Sequence, residues 1–282
     1  MTEQVSGTRG GAAGTGAGGA VLGPTSGAWT WTKRLLWFEV AAVLAVGLGR
    51  SAVDSVISLI GSLTQVHSVT KLNTQSVALN ASAAPGRPWL DLTWQTYGIA
   101  FGLAPALLVA YLLTREGVGL RGIGVDGTRP RRDLGYGAAV AACIGGSGLA
   151  LYLAAHAAGL AVTVVPTTLP AVWWRIPVLV GSAWQNAIVE EVTWNGYLLR
   201  RFDQAGLRPQ RSDALSALIR GCYHLYQGFG GFAGNLVMGL IFAKLYRRWG
   251  RVMPLLVAHA LIDTTAFVGY VLLAGHVSWL PT

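Results

Sequence analysis

Long apolar runs alternate with short basic stretches along most of this chain. A membrane-spanning helix needs about 20 predominantly apolar residues. Seven segments are candidates: 35–59, 94–114, 134–158, 173–199, 213–226, 232–246 and 253–274. The fifth and sixth are short, and Gln227-Gly228-Phe229-Gly230-Gly231 separates them as a turn. The preceding stretch, 1–28, is rich in Gly, Ala, Ser and Thr and nearly lacks large apolar side chains. It cannot bury enough surface to offset ordering, which predicts a disordered tail rather than a signal peptide. Residues 64–91, rich in Ser, Thr and Asn, form a small cap or stay mobile.

Composition agrees with the pattern. The 282 residues are 52% hydrophobic and 12% charged, where a soluble domain carries roughly 25% charged residues. An ordinary soluble enzyme and a disordered chain are both excluded. Lys and Arg number 21 against 12 Asp and Glu, a formal charge of +9. One set of loops holds most of them, including Lys33, Arg34, Arg115, Arg131, Arg132, Arg200, Arg201, Arg247 and Arg251; the opposite set holds Lys71, Arg87 and Arg175. Such asymmetry orients a membrane protein, placing the N-terminus in the cytoplasm and the C-terminus outside. It does not indicate a nucleic-acid partner. The expected fold is all-α, a polytopic helical bundle of about seven spans in the lipid bilayer. Cys143 and Cys222 fall within apolar runs and predict neither a disulfide nor a zinc finger. Gly117-Val-Gly119-Leu-Arg-Gly122 has the letters of a dinucleotide fingerprint, but no strand precedes it and no helix follows. Gly98-Ile-Ala-Phe-Gly102 reads as close helix packing.

The ionisable residues within the spans are Glu39, Arg50 and Asp54, then Glu190, Glu191, Arg220, His224, His259 and Asp263. Glu39 reads as an interfacial side chain, and Arg50 with Asp54 as a mutually neutralising i,i+4 pair. The last six are a different matter. Each charge at the bilayer centre costs about 2.5–3.5 kcal/mol on insertion scales, so an intramembrane cluster points to function. At 1.5 Å per residue, Glu190 lies about 15 Å, His224 about 18 Å and His259 about 12 Å from the basic end of its own helix. Three helices of alternating direction therefore bring them to one level. Glu190 and Glu191 point about 100° apart and serve different roles, Glu190 sharing a stripe with Asn186 and Glu191 one with Asn195. A carboxylate and two imidazoles in a buried pocket can activate water, bind a metal or relay protons.

Glu190-Glu191-Val-Thr-Trp-Asn195, Arg220-Gly-Cys-Tyr-His224 and His259-Ala-Leu-Ile-Asp263 resemble the CPBP intramembrane protease family. It is also called the CAAX protease, lysostaphin-resistance-like or Abi family. Its marks are EExxxR, FxxxH and HxxxN or HxxxD on three membrane helices. Gly196-Tyr-Leu-Leu, His224-Leu-Tyr-Gln-Gly228 and Pro254-Leu-Leu-Val-Ala-His259 extend the likeness, which covers roughly 177–268. The resemblance implies a division into residues 29–172 of N-terminal helices, 173–275 of catalytic helices and an external tail, 276–282. It also implies that Glu190 and His224 activate the hydrolytic water. His259 and Asp263 would polarise the scissile carbonyl or bind a metal, and Glu191 would orient the cluster through the motif arginine.

Two positions depart from the pattern: Asn195 stands for the motif arginine and Arg220 for the motif phenylalanine. Arg220 is level with Glu191, so the expectation is a relocated arginine, supplied by the fifth helix instead of the fourth. The chain lacks HExxH, which excludes a conventional zincin site, although Glu190, His224, His259 and Asp263 could together hold zinc; no organic cofactor is implied. The family's name favours metalloprotease, and the residues leave metal-assisted and metal-free hydrolysis open. The implied protein is a multi-pass endopeptidase of a bacterial plasma membrane, cutting a membrane-associated peptide or protein. The competing expectation is a catalytically inactive relative acting as a bacteriocin-immunity or scaffold protein. A proton-coupled transporter fits less well, because internal repeats are absent.

Overall fold

A computed structural model describes residues 33–281; the tail 1–28 expected to be disordered lies outside the described residues. The elements are α1 (Lys33–Val46), α2 (Leu48–Val66), β1 (Ser76–Asn80), α3 (Pro88–Gly102), α4 (Ala104–Arg115), the single turn α5 (Gly119–Gly122), α6 (Pro130–Ala157) and β2 (Thr163–Thr167). Then come α7 (Arg175–Glu191), a π-helical stretch Val192–Leu198, α8 (Leu199–Gln204), α9 (Pro209–Tyr223), α10 (Phe229–Trp249) and α11 (Met253–Leu273). Pro at the first turn starts α3, α4, α6, α9 and α11, where its missing N–H leaves no bond unmade.

The protein is mostly helical, and all seven apolar segments contain helix. Not all of these helices can cross a bilayer. Among the described residues four helical stretches are long and apolar enough: Pro88–Arg115, Pro130–Ala157, Phe229–Trp249 and Met253–Leu273. A fifth follows if α1 and α2, bent by 60° at their junction, are one span. Four or five stretches meet this test, fewer than the seven expected. The remaining segments are α7, which runs on through the π-helical stretch and α8 to Gln204 but is interrupted by polar residues, and α9, 15 residues long. At 1.5 Å per residue α9 reaches about 22 Å, short of a hydrocarbon core of about 30 Å. Both carry the polar cluster, and neighbours cover them: α7 packs on α11 and α3, α9 on α10 and α2.

The all-α expectation also misses one small sheet. Strands β1 and β2 pair in parallel, with Ser76 opposite Thr163, Val77 opposite Val164 and Asn80 opposite Thr167. Residues 64–91 thus form the small cap rather than a mobile loop. Leu72 and Val162 anchor it on Leu59 of α2, and His156 Nε2 meets Thr163 Oγ1 at 2.9 Å. The cap touches the α9–α10 turn. Gly228, at φ +88°, forms a bridge with Ala161, and a Cβ there would lie 2.8 Å from the Leu160 carbonyl.

Inside the bundle, Trp194, Tyr197, Leu198 and Phe202 pack with Val40, Val43, Val109 and Leu113. Gly196 admits Ile123, whose Cδ1 would be 2.5 Å from a Cβ at that position. The π-helical turns loosen the normal i−4 ladder, and Ser216 Oγ of α9 reaches the Trp194 carbonyl at 3.4 Å. π-helical insertions occur often at functional sites. This one begins at the residue after Glu191.

Candidate active site

Glu190 and Glu191 end α7, Arg220 and His224 end α9, and His259 and Asp263 lie in the middle of α11. The helices bring five of these six side chains into one buried cluster. Arg220, 1% exposed, stands at its centre. Its guanidinium donates to Glu191 Oε1 at 2.9 Å and lies 3.3 Å from Glu190 Oε2. Gly239 of α10 clears its path: a Cβ there would meet the Arg220 Cδ at 3.3 Å and the Ala217 Cα at 3.0 Å. Phe242 faces the guanidinium carbon, 5.4 Å from the ring centre. Asn195 donates to Glu191 Oε2 at 2.6 Å, so Glu191 is held on both oxygens. The counter-charge of Glu191 comes from α9, while the motif-position Asn195 supplies a neutral donor.

His259 Nδ1 lies 2.8 Å from Glu191 Oε1 and 3.3 Å from an Arg220 nitrogen. A guanidinium can only donate. Nδ1 cannot donate to Glu191 and also accept from Arg220, so the shorter contact fixes an Nδ1–H donor to the carboxylate. Nε2 then faces Asp263, 3.6 Å away. The Asn186 side chain hydrogen-bonds Asp263, joining α7 to α11 one turn above Glu190.

His224 sits apart. Its Nδ1 lies 3.1 Å from the Arg220 carbonyl, four residues back in its own helix. A carbonyl only accepts, so Nδ1 carries the proton and Nε2 keeps its lone pair. Tyr223 packs edge-on to the imidazole, with centroids 4.4 Å apart. Among the described residues no hydrogen bond joins His224 to Glu190.

Glu190 is 3% exposed, and its Oε2 makes no hydrogen bond among the described residues. A buried carboxylate oxygen in that state is uncommon, because leaving it unsatisfied costs about 1–3 kcal/mol or more. It lines a cavity of about 500 Å³ between α2, α4 and α7, which also touches Asn186, Gln185, Tyr223, Ser51, Asp54 and Arg50. Neither histidine nor Asp263 lines it. Tyr223 is the functional candidate that sequence reasoning missed: its phenol approaches the Glu190 carboxylate. The only signal was its place beside His224, and a tyrosine next to a motif histidine has too many ordinary explanations. Arg50 and Asp54 form the expected i,i+4 pair, at 3.6 Å, with side chains 81% and 62% exposed. They also stand in the wall of the same cavity.

As arranged, the donor set does not fit zinc. Arg220 stands against both glutamates, and the two imidazoles do not converge: His224 turns to its own helix while His259 Nε2 faces Asp263. No three His, Cys, Asp or Glu among the described residues are grouped to hold a metal ion. The cation that neutralises this cluster is a guanidinium.

Three further charge clusters among the described residues lie outside it, one of them Arg247 with Asp203 at 2.8 Å and Asp213 at 2.6 Å. Arg201 binds Glu39 and Glu116, and Arg251 binds Asp126 at 3.0 Å and Asp133 at 2.7 Å. All three link loops and helix ends. No curated protein and no solved structure matches the chain. A family model does: residues 171–265, which contain Glu190, Arg220, His224, His259 and Asp263, match the protease family described as Type II CAAX prenyl endopeptidase Rce1-like.

Proposed function

We propose that the protein is an intramembrane endopeptidase that hydrolyses a peptide bond in a membrane-associated peptide or protein, with Glu190 as the base that activates water. The observation that carries this reading is the buried Glu190 carboxylate in the wall of a cavity of about 500 Å³, with Tyr223 beside it and its Oε2 held only by the ion pair with Arg220 at 3.3 Å. A carboxylate so placed is poised to accept a proton from water. The water oxygen attacks the scissile carbonyl carbon while its proton passes to Glu190. On collapse the C–N bond breaks, and Glu190 returns the proton to the leaving amine.

The rest of the cluster fits supporting roles. Arg220 holds Glu191, and Glu191 holds His259, so the glutamate–arginine–histidine chain fixes the position of Glu190 Oε2 through the same guanidinium. Tyr223 is a donor beside Glu190 that can orient the water or stabilise the oxyanion. His224, with its Nε2 lone pair free, can accept a proton from a second face once substrate fills the space. His259, held by Glu191 and facing Asp263 at 3.6 Å, ties α11 to the cluster.

The decisive experiment is a survey of protein termini in native membranes from cells carrying the wild type or Glu190→Gln at matched expression. New termini that disappear in the variant support hydrolysis and name substrates. Identical termini, with Glu190→Gln folded, would overturn the reading in favour of a non-catalytic immunity or scaffold protein.

A further inference from the structure

The polar face of α2 has no use in the mechanism above. At about 100° per residue, Ser51, Asp54, Ser55 and Ser58 fall within about 100° of the helix circumference. Val53, Val56, Ile57 and Ile60 fall on the opposite side and are all exposed. The apolar side is suited to lipid. The polar side faces two cavities. One is the Glu190 cavity; the other, about 320 Å³, is lined by Ser51, Asp54, Ser55, Ser58, Tyr223 and Tyr226. The two share Ser51, Asp54 and Tyr223, so a polar groove runs along α2 to Glu190. Its inner end lies where two helix breaks meet. The α1–α2 bend at Gly47 abuts Pro105, at the start of α4, and a Cβ on Gly47 would lie 3.2 Å from that ring.

The charges strengthen the case. Arg50 and Asp54 lie within the first apolar segment, in the two turns after the α1–α2 bend. An exposed Arg–Asp pair there is costly unless water or a polar partner meets it. Ser55 is already engaged, donating to the Tyr223 carbonyl at 2.5 Å. Among the described residues the hydroxyls of Ser51 and Ser58 make no hydrogen bond. A peptide bond must leave its helix before water can attack it. In a bilayer, every backbone group so freed costs several kcal/mol without a partner. Hydroxyls, the Asp54 carboxylate and the Gln185 and Asn186 amides supply both acceptors and donors. From Ser51 to Ser58 the stripe is about 10 Å long, the reach of about three extended residues.

We propose that the Ser51–Asp54–Ser58 stripe of α2 is the docking track for the unwound, extended segment of the substrate, which slides sideways between α2 and α4 to Glu190. This rests on the hydrolytic reading of Glu190. Single cysteines at Ser51, Ser58, Val53 and Ile57, in the full chain with Cys143→Ala and Cys222→Ala, test it in proteoliposomes with a charged, membrane-impermeant thiol reagent. Ser51→Cys and Ser58→Cys should react at least tenfold faster than Val53→Cys and Ile57→Cys. A pool of N-palmitoylated random decapeptides should slow Ser51→Cys labelling at least threefold, and palmitate alone should not. Equal rates on the two faces would overturn the track. Fast labelling without peptide protection would make it a water inlet only, and protection by palmitate alone would make it a lipid groove; either overturns the proposal. Melting temperature in detergent confirms that each variant is folded. The labelling pattern should persist in Glu190→Gln. If that variant still cleaved substrate, the hydrolytic reading would fall while the labelling result stood on its own.

Discussion

Two arginines in this molecule have nearly the same surroundings and different uses. Arg201 and Arg220 are each 1% exposed, and each lies between two glutamates. Arg201 draws together Glu39 of α1 and Glu116 at the end of α4. Gln204 accepts from it at 2.8 Å, and the Tyr197 hydroxyl donates to Glu39 at 2.7 Å. That network ties three helices, and none of its residues lines the cavity beside Glu190. Arg220 holds Glu191 at full hydrogen-bond length and Glu190 more loosely, at 3.3 Å, and Glu190 lines that cavity. A buried ion pair is weak evidence for stability or for function taken alone. What separates the two is the looser pairing of Glu190 and the space next to it.

The sharpest test of that distinction is Glu190→Gln. It should lower hydrolysis of a substrate found by the terminus survey by about 10³-fold, and shift stability by no more than about 1 kcal/mol, because Arg220 keeps Glu191. Arg201→Ala should do the reverse. It strands two carboxylates and should cost about 3–5 kcal/mol in reversible detergent or denaturant unfolding, while the folded fraction keeps its specific activity. If Arg201→Ala instead removed activity from well-folded protein, the two clusters would not differ in kind.

Arg220→Ala should also destabilise by about 3–5 kcal/mol, and Glu191→Gln on that background should add little. The double-mutant cycle should give a coupling of about 1–3 kcal/mol; strictly additive losses would show that Arg220 is not the counter-charge of Glu191. Tyr223→Phe removes a donor beside Glu190 and should reduce turnover about tenfold or more with KM nearly constant. The smallest effect lies at the surface. Burial raises the pKa of Asp203, but its bonds to Arg247 and Ser212 outweigh that and hold it below the usual carboxylate range. A lowered pKa stabilises the fold above about pH 4, and this contribution fades as pH falls through the folded value. Asp203→Asn should therefore cost about 0.5 kcal/mol at pH 7 and progressively less as pH falls below about 4, as read from melting temperatures.

The helices were legible because apolar periodicity is local: every apolar segment contains a helix. The number of spans was not. α7 and α9 read as membrane segments by residue type, and only their packing shows that their polar faces are enclosed by neighbouring helices. The β1–β2 sheet was equally hidden, since Ser76–Asn80 and Thr163–Thr167 are five residues each and separated by four helices. Neither strand has a signal strong enough without its partner.

For the site, sequence spacing alone brought Glu190, His224 and His259 to nearly one level and set Arg220 level with Glu191, because the rise of a helix is fixed. It also marked Arg220 as an arginine in place of a motif phenylalanine. Rotation and separation were decided by tertiary packing. Gly239 lets Arg220 pass between α9 and α10, and the His224 ring turns to its own backbone instead of to Glu190. The breaks at Gly47 and Pro105 set the cavity against α7. These depend on the angles at which helices meet, and a helix sequence fixes its own faces but not the partner that each face will meet.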